Sequence, residues 1–410
     1  MDDLRLGTGG VLVAVALLAG TAAAAPPVLT VVHEHTEHTG SVTDVAVGEA
    51  SGTVWSLDET GGFVGYDADS GSVTTTAEFG IGHALAVGNG SVYVGENATL
   101  WEYDVAADKW RELASMGDHA AAIEYDPARD VVWTTGARSV YGYHAGNGSL
   151  FASHSQHTDG TSDLAIHGEY VASGTTWDDE VLVYSVAEDR VVYEPEFPDY
   201  VRRIGALSFT DGGDLLVGTE SEGGSLVGLY DVEAEQRVTG YREHVFGVSE
   251  VVHDAERDRI VSTGVGNRIV FFDLETDSVV ATYDHDDTIY TAALDGASGL
   301  LWFGDGEETD GRLIGLDVSD PTPTPTAEPT TTPTAESTPT AEPTASPTAE
   351  ATDGSTPEEA DGPATTPTGT ATSTGGEAAT NGDGATGLAP ALGALAVVSL
   401  ASAALRRRGS

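Results

Sequence analysis

Three histidines near the start of the chain have the side-chain types and the spacing of a metal site. His33, His35 and His38 fall within six positions, and Glu34 and Glu37 stand between them. Imidazole and carboxylate groups together suit zinc or another transition metal. The alternative is a structural role, which a recurrence of the pattern elsewhere in the chain would favour.

A second stretch offers ligands to the same site if the fold brings the two together. It reads DHDD and supplies Asp284, His285, Asp286 and Asp287. With His33 and His35, these residues form one candidate site for a transition metal. The competing interpretation is a solvated strand edge and turn.

Carboxylates also cluster in several turns, and the segment GDGEETDG (304–311) is the best single candidate for a calcium site. Its ligands would be Asp305, Glu307, Glu308 and Asp310, because calcium and other hard divalent cations bind oxygen ligands. The segment lacks the ligand periodicity of an EF-hand. The alternative is an ordinary acidic surface, and no other cofactor is indicated.

Sequence motifs of the common enzyme classes are absent. The chain has no Gly-x-Ser-x-Gly elbow, no phosphate-cradling loop and no metalloprotease helix. Its 66 acidic residues are too many for any one pair to stand out as an acid/base couple. Without cysteine, neither a disulfide framework nor a thiolate zinc site is possible.

The charge of the chain restricts its partners. Residues 28–319 carry 53 acidic and 13 basic residues, and Lys109 is the only lysine in the chain. Such self-repulsion strains a folded domain unless salt screens it, and the Debye length falls to about 3 Å in molar salt. The composition resembles that of proteins from halophilic archaea. Nucleic acid is excluded as a partner, because almost nothing here replaces phosphate counterions.

A short apolar pattern recurs seven times, at intervals of about 37 to 44 residues. Its copies are TDVAV (43–47), HALAV (83–87), AAIEY (121–125), SDLAI (162–166), GALSF (205–209), SEVVH (249–253) and TAALD (291–295). Further β-rich runs follow each copy, separated by turns rich in Asp, Gly, Asn or Ser. Seven units of four strands predict an all-β, seven-bladed β-propeller over residues 28–319.

The seventh unit has no fourth run, because a Thr/Pro-rich segment begins soon after Asp317. The stretch PVLTVVHEH (27–35) precedes the first unit and matches the missing run. We therefore predict that this N-terminal strand closes blade seven as its outermost strand. The period of two then places His33 and His35 on one face of it.

Histidine recurs at one phase of the repeat. His38, His157 and His244 each precede the inner-strand pattern by a fixed spacing, and His285 does so with one extra residue. The stretch HTGSVTDVAV resembles the opening of a WD repeat, although Tyr-Asp, Phe-Asp or Leu-Asp replaces the Trp-Asp pair. The stretch LWEYDVAADKW (100–110) also resembles kelch and quinoprotein repeats. The WD resemblance implies that these four histidines are structural and hydrogen-bond within their own blades.

Both ends of the chain have the character of targeting segments. Residues 1–25 predict a secretory signal peptide, and the alternative is an uncleaved anchor, for which the apolar run is short. Residues 320–386, rich in Pro, Thr, Ala and Glu, predict a disordered stalk. Residues 387–405 form an uncharged stretch long enough for a transmembrane helix, and 406–410 form a basic cytoplasmic tail.

The tail resembles the C-terminal sorting signals of archaeal surface proteins. Gly-Leu-Ala-Pro stands where those signals often carry Pro-Gly-Phe. Removal of the helix by an archaeosortase and retention of the helix as an anchor both remain open.

Three Asn-x-Ser/Thr sequons fall in turns, at Asn89, Asn97 and Asn147. Secretion favours N-glycosylation there, whereas Asn-Gly also suits tight turns by itself.

Taken together, these features favour a non-enzymatic binding module at the surface of a halophilic archaeon. It would be tethered by a glycosylated stalk and a membrane anchor, and its partner would be a protein or a glycan. The alternative is an extracellular metal-dependent or quinone-linked enzyme with its site at the channel mouth of the propeller. The fold alone does not decide between these two functions.

Overall fold

A computed structural model describes residues 29–48, 51–80, 82–117, 119–221, 224–306 and 311–319. The predicted signal peptide, stalk, transmembrane helix and basic tail all lie outside these residues. Within the described part of the chain, no helix is long and apolar enough to span a bilayer.

Twenty-eight strands build seven sheets of four strands each, which confirms the predicted seven-bladed β-propeller. The first strand is β1, Thr30–His35. Blades one to three comprise β2 Val42–Gly48, β3 Thr53–Asp58, β4 Gly62–Asp67, β5 Val73–Glu78, β6 Gly82–Gly88, β7 Ser91–Glu96, β8 Thr99–Asp104, β9 Lys109–Ser115, β10 Ile123–Asp126, β11 Val131–Thr135, β12 Val140–His144 and β13 Leu150–His154.

Blades four to six follow the same order, from the inner strand to the outer. They comprise β14 Thr161–His167, β15 Tyr170–Thr175, β16 Val181–Ser185, β17 Arg190–Tyr193, β18 Val201–Phe209, β19 Leu215–Ser221, β20 Ser225–Asp231, β21 Gln236–His244, β22 Val248–Asp254, β23 Arg259–Gly264, β24 Arg268–Asp273 and β25 Ser278–Asp284. Blade seven takes β26 Ile289–Asp295, β27 Leu300–Asp305 and β28 Leu313–Asp317.

The N-terminal strand closes the ring. β1 pairs antiparallel with β28, with Thr30 opposite Asp317 and His35 opposite Leu313. A bulge between Val31 and His33 shifts the register by one residue. The first and last strands therefore share one sheet, which removes the edge that β28 would otherwise expose.

The core lies between neighbouring blades and not within any one sheet. Trp55 and Phe63 of blade one, for example, pack with Leu85 and Tyr103 of blade two. Trp55 also lies opposite Gly65 on the neighbouring strand, where an added Cβ would come within 2.6 Å of the indole ring. The same Trp–Gly pairing recurs in blades three and seven, so the glycines make room for indole rings that lie flat on the sheet.

The strand order defines two faces. The upper face carries the turns between second and third strands and the segments that link one blade to the next, and the lower face carries the other turns. Contacts between these elements support this, because Thr39 in a linking segment bonds Thr60 in a turn of blade one. β1 begins at the lower face and β28 ends there, so Leu29 and Ser319 both lie on it.

Candidate functional site

On the upper face of blade one, His38 lies at the centre of a buried hydrogen-bond network. Its Nδ1 is 3.1 Å from a carboxylate oxygen of Asp58, and its Nε2 is 2.7 Å from the hydroxyl of Ser56. The other Asp58 oxygen accepts hydrogen bonds from the backbone and hydroxyl of Thr60 and from the Gly62 amide. The side chain of Asp58 is fully buried.

The charge of Asp58 is stabilised by these donors. Burial alone would raise the pKa of the carboxyl group, but the hydrogen bonds from His38, Thr60 and Gly62 outweigh it, so the pKa lies well below its usual range. The network therefore holds a carboxylate in the interior of the turn, where it ties the linking segment to the blade.

Blade four repeats this arrangement with glutamate in place of aspartate. His157 Nδ1 is 2.6 Å from Glu180, and its Nε2 is 2.7 Å from the Ser173 hydroxyl. In blade six, His244 Nε2 is 2.7 Å from the Ser262 hydroxyl, and burial lowers the pKa of His244 to about 4. In each of these blades, the histidine bonds a serine on the second strand of the blade that follows it in the chain.

Blade seven combines the same pairing of a histidine and a carboxylate with an arginine. His285 Nε2 is 2.6 Å from Asp305, and the Arg312 guanidinium is 2.5 Å from the same carboxylate oxygen. Burial raises the pKa of Asp305, but bonds from His285 and Arg312 outweigh that effect and lower it overall. The carboxylate of Asp305 thus neutralises the charge of Arg312. The other proposed ligands of the cation site, Glu307, Glu308 and Asp310, lie outside the described residues, so that site stays a prediction.

His33 and His35 pack on aromatic rings at the junction of blades seven and one. The His33 ring stacks on Trp302, with centroids 5.3 Å apart and planes 4° apart. The His35 ring lies 4.4 Å from that of Tyr66 in blade one. Burial is the main reason that the pKa of His35 is lowered. Both imidazoles lie on one face of β1, as the period of two predicts.

The structure does not gather these histidines and the DHDD turn into one cluster. Asp284 pairs with Arg268 at 2.7 Å, His285 faces Asp305, and Asp287 accepts the Thr288 amide. Asp286 is exposed. In the part of the chain that the structure describes, no three His, Asp or Glu side chains are grouped as a metal site requires.

The central channel carries acidic side chains that the sequence analysis did not single out. It is a cavity of about 530 Å³ lined by the seven inner strands. Asp44, Glu124, Asp163 and Glu250 project into it from blades one, three, four and six. The signal in the sequence was an acidic residue interrupting the apolar inner-strand pattern, as in TDVAV and SEVVH.

Apolar side chains stand exposed on the upper face of blades four to six. Trp177 is 52 % exposed in a turn of blade four. Val245 and Phe246 are 73 % and 61 % exposed on the segment between blades five and six. Near them, the Arg242 guanidinium lies 4.0 Å from the centre of the Tyr200 ring. The stretches TTWDDE and EHVFGV contain these residues, but hydropathy does not tell an exposed aromatic from a core one.

The three sequons lie in blades two and three, with Asn97 on the upper face and Asn89 and Asn147 in turns on the lower face. Asn89, Asn97 and Asn147 are all exposed in turns. Asn89 and Asn97 adopt left-handed backbone conformations, with φ near 51° at each. The Asn147 side chain accepts the Ser149 amide within its own sequon.

No protein-family model matches this chain, and no curated protein matches it. The chain is similar to the WD40 repeats of RRP9. The crystal structure of those repeats matches with a TM-score of 0.62 at 13 % identity, over 71 % of this chain and 99 % of that one. At this identity the likeness establishes the fold alone: a seven-bladed propeller with a WD40 structural neighbour.

Proposed function

We propose that this chain is a cell-surface binding module whose upper face, on blades four to six, binds a protein partner. The observation that carries the proposal is the exposure of Trp177, Val245 and Phe246 on the upper face of a strongly acidic body. Large apolar side chains exposed together mark interaction surfaces. Aromatic residues also supply much of the energy at such surfaces.

The course of the chain supports a partner on the upper face. The described part ends at Ser319 on the lower face, and the Thr/Pro-rich segment follows from there. An extended segment of 67 residues would reach up to roughly 200 Å. Attachment through residues 387–405 would therefore leave the upper face free for a partner.

The sequons leave the proposed binding surface bare. Asn89 and Asn147 lie in lower-face turns, and Asn97 lies on the upper face of blade two, so glycans on them would not cover the upper face of blades four to six. In molar salt, screening of the acidic surface removes most long-range repulsion between this body and an acidic partner. Contacts through Trp177 and Phe246 are not weakened by salt, because they depend on apolar burial.

Site-specific photo-crosslinking tests the proposal. A photoreactive phenylalanine analogue replaces Trp177 or Phe246 in the full chain on its host cell surface. The matched control carries the analogue at Val238, which is 54 % exposed but lies on the outer strand of blade five. We expect one protein to be captured from positions 177 and 246 and not from 238.

A reciprocal substitution sharpens the result. Trp177→Ala should reduce capture from position 246 by on the order of 10-fold, because one partner spans both residues. Equal capture from position 238, or no capture at all, refutes the binding face. Capture of a polysaccharide in place of a protein refutes the protein partner.

A further inference from the structure

The central channel concentrates carboxyl groups in one narrow space. Four of its seven inner strands contribute a carboxyl group: Asp44, Glu124, Asp163 and Glu250. No Lys or Arg is among the described residues that line the channel. The other titratable side chains facing it are His83 from blade two and Tyr290 from blade seven, and blade five contributes none.

Two of these carboxyl groups also connect neighbouring blades. Asp44 accepts the Leu85 amide of blade two at 2.7 Å and the Thr291 hydroxyl of blade seven at 3.3 Å. Asp163 accepts the Leu207 amide of blade five at 2.5 Å. Burial raises the pKa of Asp44 to about 6 and that of Asp163 to about 7, and hydrogen bonds from backbone amides oppose this shift, so both groups ionise at a lower pH than Glu124.

Among the described residues, Glu124 and Glu250 have no such links to other blades. Glu250 accepts a hydrogen bond from the amide of Val251, at 3.2 Å, and Glu124 accepts one from that of Tyr125. Burial raises the pKa of Glu124 to about 8, and the charges of Asp163 and Asp44 contribute. Burial also raises the pKa of Glu250, with contributions from Asp163, Asp44 and Glu124. Glu124 faces the open space of the channel, so water there hydrates part of its charge and limits the effect.

We propose that the channel is a pH-responsive element of the fold, in which Glu124 and Glu250 hold protons at neutral pH and ionise under alkaline conditions. Their ionisation places four negative charges in one narrow space and loosens the ring of inner strands. The sign follows from linkage: a carboxyl group that binds its proton more tightly in the folded state stabilises the fold at lower pH. That stability is lost as the pH rises through the folded-state pKa.

Thermal unfolding of the full chain tests the proposal in molar KCl. Salt at that concentration screens the outer surface, whereas charges inside the channel are screened much less. We expect the unfolding midpoint of the unaltered chain to fall by several degrees between about pH 6 and about pH 9.5. The double variant Glu124→Gln/Glu250→Gln should lose most of that fall and match the parent near pH 6.

The control variant removes two charges from the surface. Glu112 and Glu275 are exposed and lie outside the channel, so Glu112→Gln/Glu275→Gln should keep the pH dependence of the parent. If the channel variant shows the same alkaline fall as this control, the proposal is wrong.

Infrared spectroscopy tests the protonation itself and needs only a folded parent chain. Near neutral pH we expect the carbonyl stretch of protonated carboxyl groups, disappearing as the pH is raised to about 9.5. Above about pH 7 most of the signal should be missing from Glu124→Gln/Glu250→Gln, because Asp44 and Asp163 ionise at lower pH. Its absence from the parent at neutral pH overturns the proposal whatever the variants do.

Discussion

Removal of the Asp58 carboxylate is the most direct test of the networks on the upper face. In Asp58→Ala, the buried imidazole of His38 loses its acceptor, and the amides of Thr60 and Gly62 lose theirs. A buried group left without a partner costs about 1–3 kcal/mol, and a typical hydrogen bond contributes about 1 kcal/mol net. Thr60 is exposed, so water replaces part of the loss there. We expect the free energy of unfolding to fall by about 3–4 kcal/mol.

The assay is urea unfolding of the full chain in molar KCl, followed by circular dichroism and tryptophan fluorescence. The matched control is Asp69→Ala, which removes the same charge from an exposed turn of the same blade and should leave the midpoint nearly unchanged. A double-mutant cycle with His38→Ala measures the coupling, which we expect to be about 1–3 kcal/mol.

The effect of Asp58→Ala also depends on pH with a definite sign. The pKa of Asp58 is lowered in the folded state, so its contribution is complete above the unfolded value of about 3.9. That contribution is lost as the pH falls through the folded-state value, and parent and variant should converge in strong acid. If Asp58→Ala destabilises the chain no more than Asp69→Ala does at neutral pH, the assignment of Asp58 as a structural anchor is refuted.

Three further predictions concern the whole chain. Lowering the salt concentration from molar to millimolar should loosen the propeller, because its acidic surface is no longer screened. Circular dichroism across a salt titration checks this. Native spectra at low salt would contradict it. A chain that begins after His35 lacks β1 and exposes β28 as an edge, so light scattering should show association. Adding a peptide of residues 28–37 should reverse that association. If the shortened chain is monomeric and unfolds like the parent, β1 does not close the ring. A chain that ends at residue 386 should leave the membrane fraction that retains the full chain, and equal partitioning of the two would show that 387–405 is not the anchor.

Period and repetition were enough to predict the architecture from the sequence. Apolar alternation in short runs specifies strands, and seven copies of one pattern specify the number of blades. The closing strand was predicted by counting the β-rich runs in each unit. The seventh unit lacked one run, and the residues before the first unit supplied it. His38, His157 and His244 recur at one position of the repeat. This recurrence indicated a structural role for them, which a local pair such as His33 and His35 did not show. These features are local in the sequence, so no knowledge of distant contacts was needed.

The tertiary structure decided which carboxylates act together and which side chains reach solvent. Asp44, Glu124, Asp163 and Glu250 are far apart in the chain and meet only because the inner strands converge on one axis. Asp58 and Asp305 resemble surface acids in the sequence, yet both are buried against histidines on other segments. Trp177 and Phe246 are exposed while Trp55 and Phe63 are buried, although all four are equally apolar. The physical reason is that burial and charge interaction depend on distances in space, which the ring closure sets and the linear order does not.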